Sequence, residues 1–346
     1  MTWWPDTPPL SPVSPEEPRK ETSSLVTANG EVTPAEHAQA ALTRAVRYAE
    51  TADAPNTLRA YRSDWQAFVV WCQDAGLAPL PAAPETVGAY LAAHADTHAA
   101  ATLRRRLVTI ARAHKQAGIA AFWAGHPAIR NVLRGIAREH GTAQRQAAAL
   151  TTPEIRRLIA VCGDDLAGLR DRALILLGYA AALRRSELVG VDREHLAFDA
   201  QGLRLTIPRS KGDQAGKGEA VGVPRGKRRE TCPLRALEAW LQASDTRYGP
   251  VFRWVTRWGT VEPRRLSAGG VLLILRRRAE LAGIDGAGER ISPHSLRAGF
   301  VTEAYRAGLR DEQIMQHTRH RDLASMRRYV RRARLLEDSA AAVLGL

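Results

Sequence analysis

Residues 318–330 read TRHRDLASMRRYV. The run 323–333 is predicted to be a helix, and it sets Tyr329 nine residues after His320. An isolated tyrosine is usually a packed or surface aromatic; the histidine at this spacing singles out Tyr329. Working back toward the N-terminus, helices are predicted over 311–316, 294–307, 267–282 and 233–243. The 294–307 helix opens on HSLR (294–297), after Ser292-Pro293. Upstream, LRLTI (203–207) alternates as a strand. The glycine-rich stretch SKGDQAGKGEAVGVPRG (210–226) then predicts a hairpin with a mobile tip. RDRALILLGYAAAL (170–183) is apolar on all sides and reads as a buried helix. Thr152 before Pro153 is a predicted cap with proline at the first helical position. Together these runs predict an α-rich domain over 151–346 with a small antiparallel β hairpin.

A second pattern occupies the N-terminal half. In 57–72, Tyr61, Trp65, Phe68, Val69 and Cys72 form one helical stripe, with Arg59, Ser63 and Gln66 opposite. Asn56 or Thr57 is the predicted cap. Residues 84–95 make another helix, starting near Pro84. In 100–117, Leu103, Leu107, Ile110 and His114 share a face. Arg105, Thr109, Arg112 and Gln116 are expected to face away, flanked by Arg104, Arg106 and Lys115. Residues 127–140 are one more amphipathic helix. A helical domain over 41–140 follows, with a linker at 141–150. Residues 1–34 are rich in Pro, Ser, Thr and Glu, and a disordered tail is expected over 1–40.

The net charge is +14. The first fifty residues hold seven acids and four bases, net −3, which leaves +17 on the body of the chain. That excess points to an acidic polymer, most commonly nucleic acid. Cys72, Cys162 and Cys232 lie far apart, which argues against a disulfide framework or a cysteine metal site. No apolar run reaches membrane-spanning length. A soluble cytoplasmic protein is expected, with no membrane partner. His94/His98 and His317/His320 have spacings a metal could use, but no acidic or cysteine residue completes either pair.

Phosphodiester cleavage needs charge screening at the pentacoordinate phosphorus, a nucleophile in line, and a proton for the departing oxygen. Arginine suits the first task, because its planar fork takes two phosphate oxygens and stays charged. A tyrosine oxygen suits a reversible attack. The chain supplies these types in order: Arg184 and Glu187 in ALRRSEL (182–188), Lys211 in SKGDQ, His294 and Arg297 in HSLR, then His320 and Tyr329. Each pattern is weak alone; their order over about 150 residues makes chance a poor explanation.

That order resembles the tyrosine recombinase (phage integrase) family. Within it, EQIMQHTRHRDLASMRRYVR (312–331), TLRAYRSDWQAFVVWC (57–72) and ATLRRRLVTIARAHKQAG (101–118) look most similar to Cre-type members. The resemblance implies a two-domain, C-shaped clamp on duplex DNA, acting on an inverted-repeat target as a dimer per site and a tetramer in the synapse. It implies that Arg184 and Arg297 hold the scissile phosphate and that Glu187 orients Arg184. Lys211 would give a proton to the leaving 5′ oxygen, with Lys217 nearby as the alternative. His294 would accept a proton or donate to the phosphate, His320 would bond the phosphate, and Tyr329 would form the 3′-phosphotyrosine. No metal or other cofactor is implied. Arg59, Ser63, Gln66, Arg104, Arg105, Arg106, Arg112 and Lys115 would contact DNA. Two departures stand out: the glycine usual before His320 is Arg319, and Arg184 is followed by a second arginine, Arg185. Rival readings are a type IB topoisomerase and a DNA-binding regulator on the same scaffold.

Overall fold

The computed structural model describes residues 34–50, 52–119, 125–142, 147–208, 218–284, 291–333 and 344. Residues 1–33 of the expected N-terminal tail, the hairpin tip carrying Lys211 and Lys217, and nearly all of the 335–346 tail lie outside these residues, while 34–40, expected in that tail, belong to the first helix. The fold is mainly α with small antiparallel sheets. Its internal contacts divide it into two units, Met1–Gln144 and Arg145–Leu346.

The first unit has five helices among its described residues: α1 (Pro34–Glu50), α2 (Pro55–Asp74), α3 (Pro84–Ala93), α4 (Ala100–Gln116) and α5 (Pro127–Glu139). Four of them open on proline. At the first helical position the missing N–H costs nothing and the fixed φ is already helical. Proline therefore starts α2, and the expected Asn56 or Thr57 cap is absent: Ala54 holds the cap position without a side-chain bond. The predicted stripe closes the core, with Phe68, Cys72, Tyr90, Leu91, Leu103, Ile110 and Ile129 fully buried. Phe68 and Tyr90 meet edge to face at 5.0 Å. His114 is buried on the same stripe. Its Nε2 accepts from the Ala82 N–H at 2.9 Å and its Nδ1 donates to the Ile110 carbonyl at 2.8 Å, and burial lowers its pKa.

Two expectations for α4 need correction. Thr109 is buried, its hydroxyl donating to the Arg105 carbonyl at 3.1 Å. Arg106 also turns inward: it is 8% exposed and donates to His98 Nε2 at 2.9 Å, with its Nε 3.8 Å from Asp64. The buried face of α4 is wider than an apolar stripe suggests, because buried Asp64 on α2 takes up charge from its neighbour.

The second unit begins with α6 (Thr152–Ala160), α7 (Leu166–Ala180) and the short α8 (Arg185–Val189). Thr151, one residue before the expected position, caps α6, and Glu154 accepts from both its N–H and its hydroxyl at 2.6 and 2.8 Å. A three-stranded antiparallel sheet follows, β1 (Leu196–Phe198), β2 (Gly202–Ile207) and β3 (Glu219–Pro224), in spatial order β1-β2-β3. Leu203 pairs with Val223 and Leu205 with Val221, which puts the apolar side of the hairpin on the core. Then come α9 (Pro233–Ala243), a second hairpin of β4 (Arg253–Val255) and β5 (Val261–Arg265), and α10 (Ala268–Leu281). The second hairpin falls between the helices predicted over 233–243 and 267–282, where no element was expected; its strands are three and five residues long, too short to carry a period-2 signal. The chain closes with α11 (His294–Arg306), α12 (Asp311–Thr318) and α13 (Leu323–Ala333).

Helix α7 is the buried helix expected, packed among α6, α9 and α11. Gly178 lets α11 come close, since a Cβ there would lie 2.9 Å from Leu296 Cδ1. Gly299 does the same for the incoming chain: a Cβ would lie 1.8 Å from the Leu150 carbonyl oxygen. Leu150, the last residue of the expected linker, is buried in this core and its N–H donates to the Ser295 carbonyl at 3.1 Å. These contacts fix α11, the helix that carries His294 and Arg297.

Candidate active site

The turn between α7 and α8 builds one wall. Ala182 sits at φ 47, a left-handed conformation uncommon for a residue with a Cβ. The next residues turn Arg184 inward and leave Arg185 exposed, so the structure separates two arginines that the motif alone does not. Glu187 is buried, and its carboxylate accepts from the Arg184 main-chain N–H at 2.8 Å and from Arg184 Nη1 at 2.6 Å. It caps α8 and grips the guanidinium at once.

Arg297, one turn into α11, is 1% exposed. Its Nη1 donates to the Ala182 carbonyl at 2.8 Å, while its buried Nη2 has no hydrogen-bond partner among the described residues. Burial first, then the charges of Arg184 and Arg319, push its pKa down to about 9. A guanidinium under that pressure, with an unbonded donor, is arranged to receive an anion.

On the same helix His294 stands exposed, three residues before Arg297. Its Nε2 is hydrogen-bonded to the Tyr329 hydroxyl on α13, and the two rings lie 5.6 Å apart. The His320 ring is 6.3 Å from Tyr329. Tyr329 also packs on a small apolar cluster of Val301, Ala304, Ile314 and Met326, which seats α13 against α11 and α12. Arg184, Glu187, His294, Arg297, His320 and Tyr329 thus come from elements up to 145 residues apart and meet in one unit.

His320 has a defined proton position. The Thr318 hydroxyl donates its only proton to the Ile314 carbonyl at 2.6 Å, so it accepts from His320 Nδ1 at 2.7 Å. The proton of the neutral ring therefore sits on Nδ1, and Nε2 is left as an acceptor. Burial, then the charges of Arg297 and Arg184, lower the His320 pKa to about 3. His317 is not a metal ligand partner for it: its Nε2 donates to the Ala180 carbonyl at 2.8 Å and its ring stacks on Phe300 at 4.6 Å.

Arg319 stands out in the sequence only as a departure, yet it lies at the centre of this network. It is 8% exposed, and its Nη2 donates to Glu187 Oε2 at 2.9 Å. Burial alone would raise the Glu187 carboxyl; the Arg319 charge and the Arg184 hydrogen bonds outweigh it, and the pKa falls below its usual value. Sequence reasoning misses Thr318 altogether, because no motif marks its bond to His320.

The candidate DNA-facing residues divide. Arg59, Ser63, Gln66, Arg104 and Lys115 are exposed. Arg105 is half-exposed and held by Asp64 through two bonds of 2.7 and 3.0 Å, while Arg112 pairs with Asp53 at 2.5 Å. Arg106 and Thr109 are buried in the first unit. No helix among the described residues is long and apolar enough to cross a membrane.

The chain's likeness to known proteins shows its family. The phage integrase family matches residues 148–334, more than half of the chain. An integrase/recombinase xerD homolog of Selenomonas ruminantium is 38% identical over 302 residues, covering 86% of this chain and 87% of that one. Two solved structures share the fold. One is a XerH site-specific recombinase bound to palindromic difH substrate, with a TM-score of 0.57, 15% identity, and coverage of 76% of this chain and 72% of that one. The other is a lambda integrase dimer bound to a COC′ core site, with a TM-score of 0.55, 16% identity, and coverage of 85% and 94%. The chain belongs to the phage integrase family and is a site-specific tyrosine recombinase.

Proposed function

We propose that this enzyme cuts and rejoins duplex DNA through a 3′-phosphotyrosine on Tyr329. The observation that carries the reading is the meeting of the Tyr329–His294 hydrogen bond with the unbonded, buried Nη2 of Arg297 beside Arg184. The phenol gives its proton to His294 as its oxygen attacks phosphorus. Arg184 and Arg297 take the growing charge on the non-bridging oxygens. The bond to the 5′ oxygen breaks, and that oxygen leaves with a proton from Lys211 or Lys217 on the hairpin between β2 and β3. Reversal, with a 5′ hydroxyl of another strand attacking the phosphotyrosine, rejoins DNA without an external energy source.

In this reading residues 41–140 hold the duplex and residues 151–346 perform the chemistry, with 141–150 as the linker between them. By the sequence resemblance to Cre-type members, α2 and α4 would lie against the DNA, with Arg59 and Arg105 as the main base readers, Ser63, Gln66 and Arg112 near them, and Arg104 and Lys115 on phosphates. Arginine takes guanine bidentately in the major groove. A dimer would occupy each inverted-repeat site and a tetramer the synapse. The tail 335–346, apolar at Leu336, Ala340, Val343 and Leu344, would link protomers.

A nicked suicide duplex tests the chemistry. The parent chain should accumulate a covalent protein–DNA band on a denaturing gel, and Tyr329→Phe should bind the same duplex and form none. A persistent band in Tyr329→Phe would move the nucleophile elsewhere. Relaxation of a plasmid that lacks any target site would favour topoisomerase activity instead.

A further inference from the structure

We propose that Arg319 is a positioning residue of the active site: it shares the Glu187 carboxylate with Arg184, leaves Arg184 its charge for the phosphate, and adds a third guanidinium to the field there. The inference rests on the recombinase reading above.

The backbone supplies the first argument. Arg319 ends α12 at φ 59, ψ 41, in the left-handed region. A side chain with a Cβ is disfavoured there, and glycine is the usual solution at the end of a helix. The turn itself makes no demand for arginine, so the side chain has another use.

Its contacts show what that use is. The guanidinium is buried and bonded to Glu187 at 2.9 Å and to the His317 carbonyl at 3.0 Å. It also reaches the Ala182 carbonyl at 3.5 Å, the same oxygen that takes Arg297 Nη1 at 2.8 Å. The Arg319 main-chain carbonyl accepts from Arg184 Nη2 at 3.1 Å. Arg184 is therefore gripped on one side by Glu187, whose other oxygen Arg319 holds, and on the other by the backbone of Arg319.

Charge supplies the second argument. A Glu187 paired with Arg184 alone would neutralise it. With Arg319 on the same carboxylate, and Glu219 3.8 Å from Arg319 Nε, two carboxylates face the three guanidiniums of Arg184, Arg319 and Arg297, and a net charge of about +1 is left by that count. Excess charge in a buried site is unfavourable until an anion arrives, and it is worth most when negative charge grows on a phosphate.

The test uses the full chain and a nicked suicide duplex bearing a site selected by that chain from random-sequence duplexes. Arg319→Gly suits the left-handed backbone, which offsets part of the cost of breaking the buried pair with Glu187, so its melting temperature should stay close to that of the parent. Half-site affinity should hold, while the covalent band at saturating protein should form about 10–100-fold more slowly, the usual cost of losing a group that orients a direct contact. Arg319→Lys, which keeps the charge, should recover part of that loss. Cleavage by Arg319→Gly at the parent rate would overturn the inference. So would a joint loss of cleavage, affinity and melting temperature, since that marks a purely structural residue. If the parent forms no covalent band, the recombinase reading fails and takes this inference with it. If the parent cleaves, the variant's rate reports on Arg319 alone.

Discussion

The two units handle buried arginine differently. In the helical unit, Asp64 on α2 lies between Arg105 and Arg106 on α4, close enough to pair with both, and Arg105 remains half in solvent. Arg106, the buried member, has His98 as an acceptor for Nη2, while its buried Nε and Nη1 have no hydrogen-bond partner among the described residues, so an orphaned donor alone does not set the two units apart. In the catalytic unit, Arg184 and Arg319 share the Glu187 carboxylate, Glu219 lies 3.8 Å from Arg319 Nε, and Arg297 bonds a main-chain carbonyl and keeps a buried Nη2 without a partner among the described residues. An internal control lies in the same unit, where Arg170 and Arg278 both bond Asp171 on separate oxygens, each within 2.7 Å. At Asp64 and Asp171, two guanidiniums that share one carboxylate hold elements together. Charge left in excess in a pocket that also holds a tyrosine and two histidines serves a ligand.

That contrast breaks most readily at Arg297. Arg297→Ala should slow covalent-band formation by about 10²–10³, the cost of one donor to a developing oxyanion. Half-site affinity should stay close to that of the parent, and the melting temperature should hold or rise because a buried, poorly compensated charge is gone. A fall in melting temperature with unchanged cleavage would make Arg297 structural and erase the difference between the units.

Asp64 sharpens the comparison from the other side. Asp64→Asn removes the carboxylate between Arg105 and Arg106 and should destabilise the helical unit by about 3 kcal/mol, at the lower end for breaking a buried pair because Arg105 can turn to solvent. Denaturant unfolding of the variant measures it. The catalytic unit should be untouched, so the loss should appear in one transition only; a loss spread over both transitions would mean that the pair does not belong to the helical unit alone.

A smaller effect is expected from pH. His320 has a folded pKa near 3 against an ordinary 6.5, so between those values the unfolded chain binds the extra proton. Its contribution to stability is full above pH 6.5 and is lost as pH falls toward 3. His317, lowered by burial, acts in the same sense. Thermal melts from pH 7.5 to 4.5 should show the catalytic unit losing stability, and His320→Gln should flatten that slope. An equal slope in the variant would place the acid sensitivity elsewhere.

Much of the fold was legible because its signals are local. The proline at the start of α3, the 3.6-residue stripes of α2 and α4, and the apolar run of α7 are written within a dozen residues each, and α9 and α13 lie over the residues where periodicity puts them. The order of Arg184, His294, Arg297, His320 and Tyr329 likewise singles out, before any geometry, a candidate set whose members the fold brings together. The three-residue β4 and the shift of the α6 cap to Thr151 were not legible, since too few residues carry them.

What the sequence by itself determined is therefore the parts: which segments coil, which face of each is apolar, and which side chains could cut a phosphodiester. Which charges are spent inside and which are left for a ligand was decided only by the tertiary structure. Arg184 turns inward while Arg185 faces solvent, and Arg106 is buried beside a half-exposed Arg105, although each pair is adjacent in the chain. Arg319 reaches Glu187 across 132 residues, and only because α12 ends in a left-handed turn. Helical periodicity arises from bonds within a few residues, but the fate of a charge depends on the carboxylate or carbonyl that folding brings to it from elsewhere in the chain.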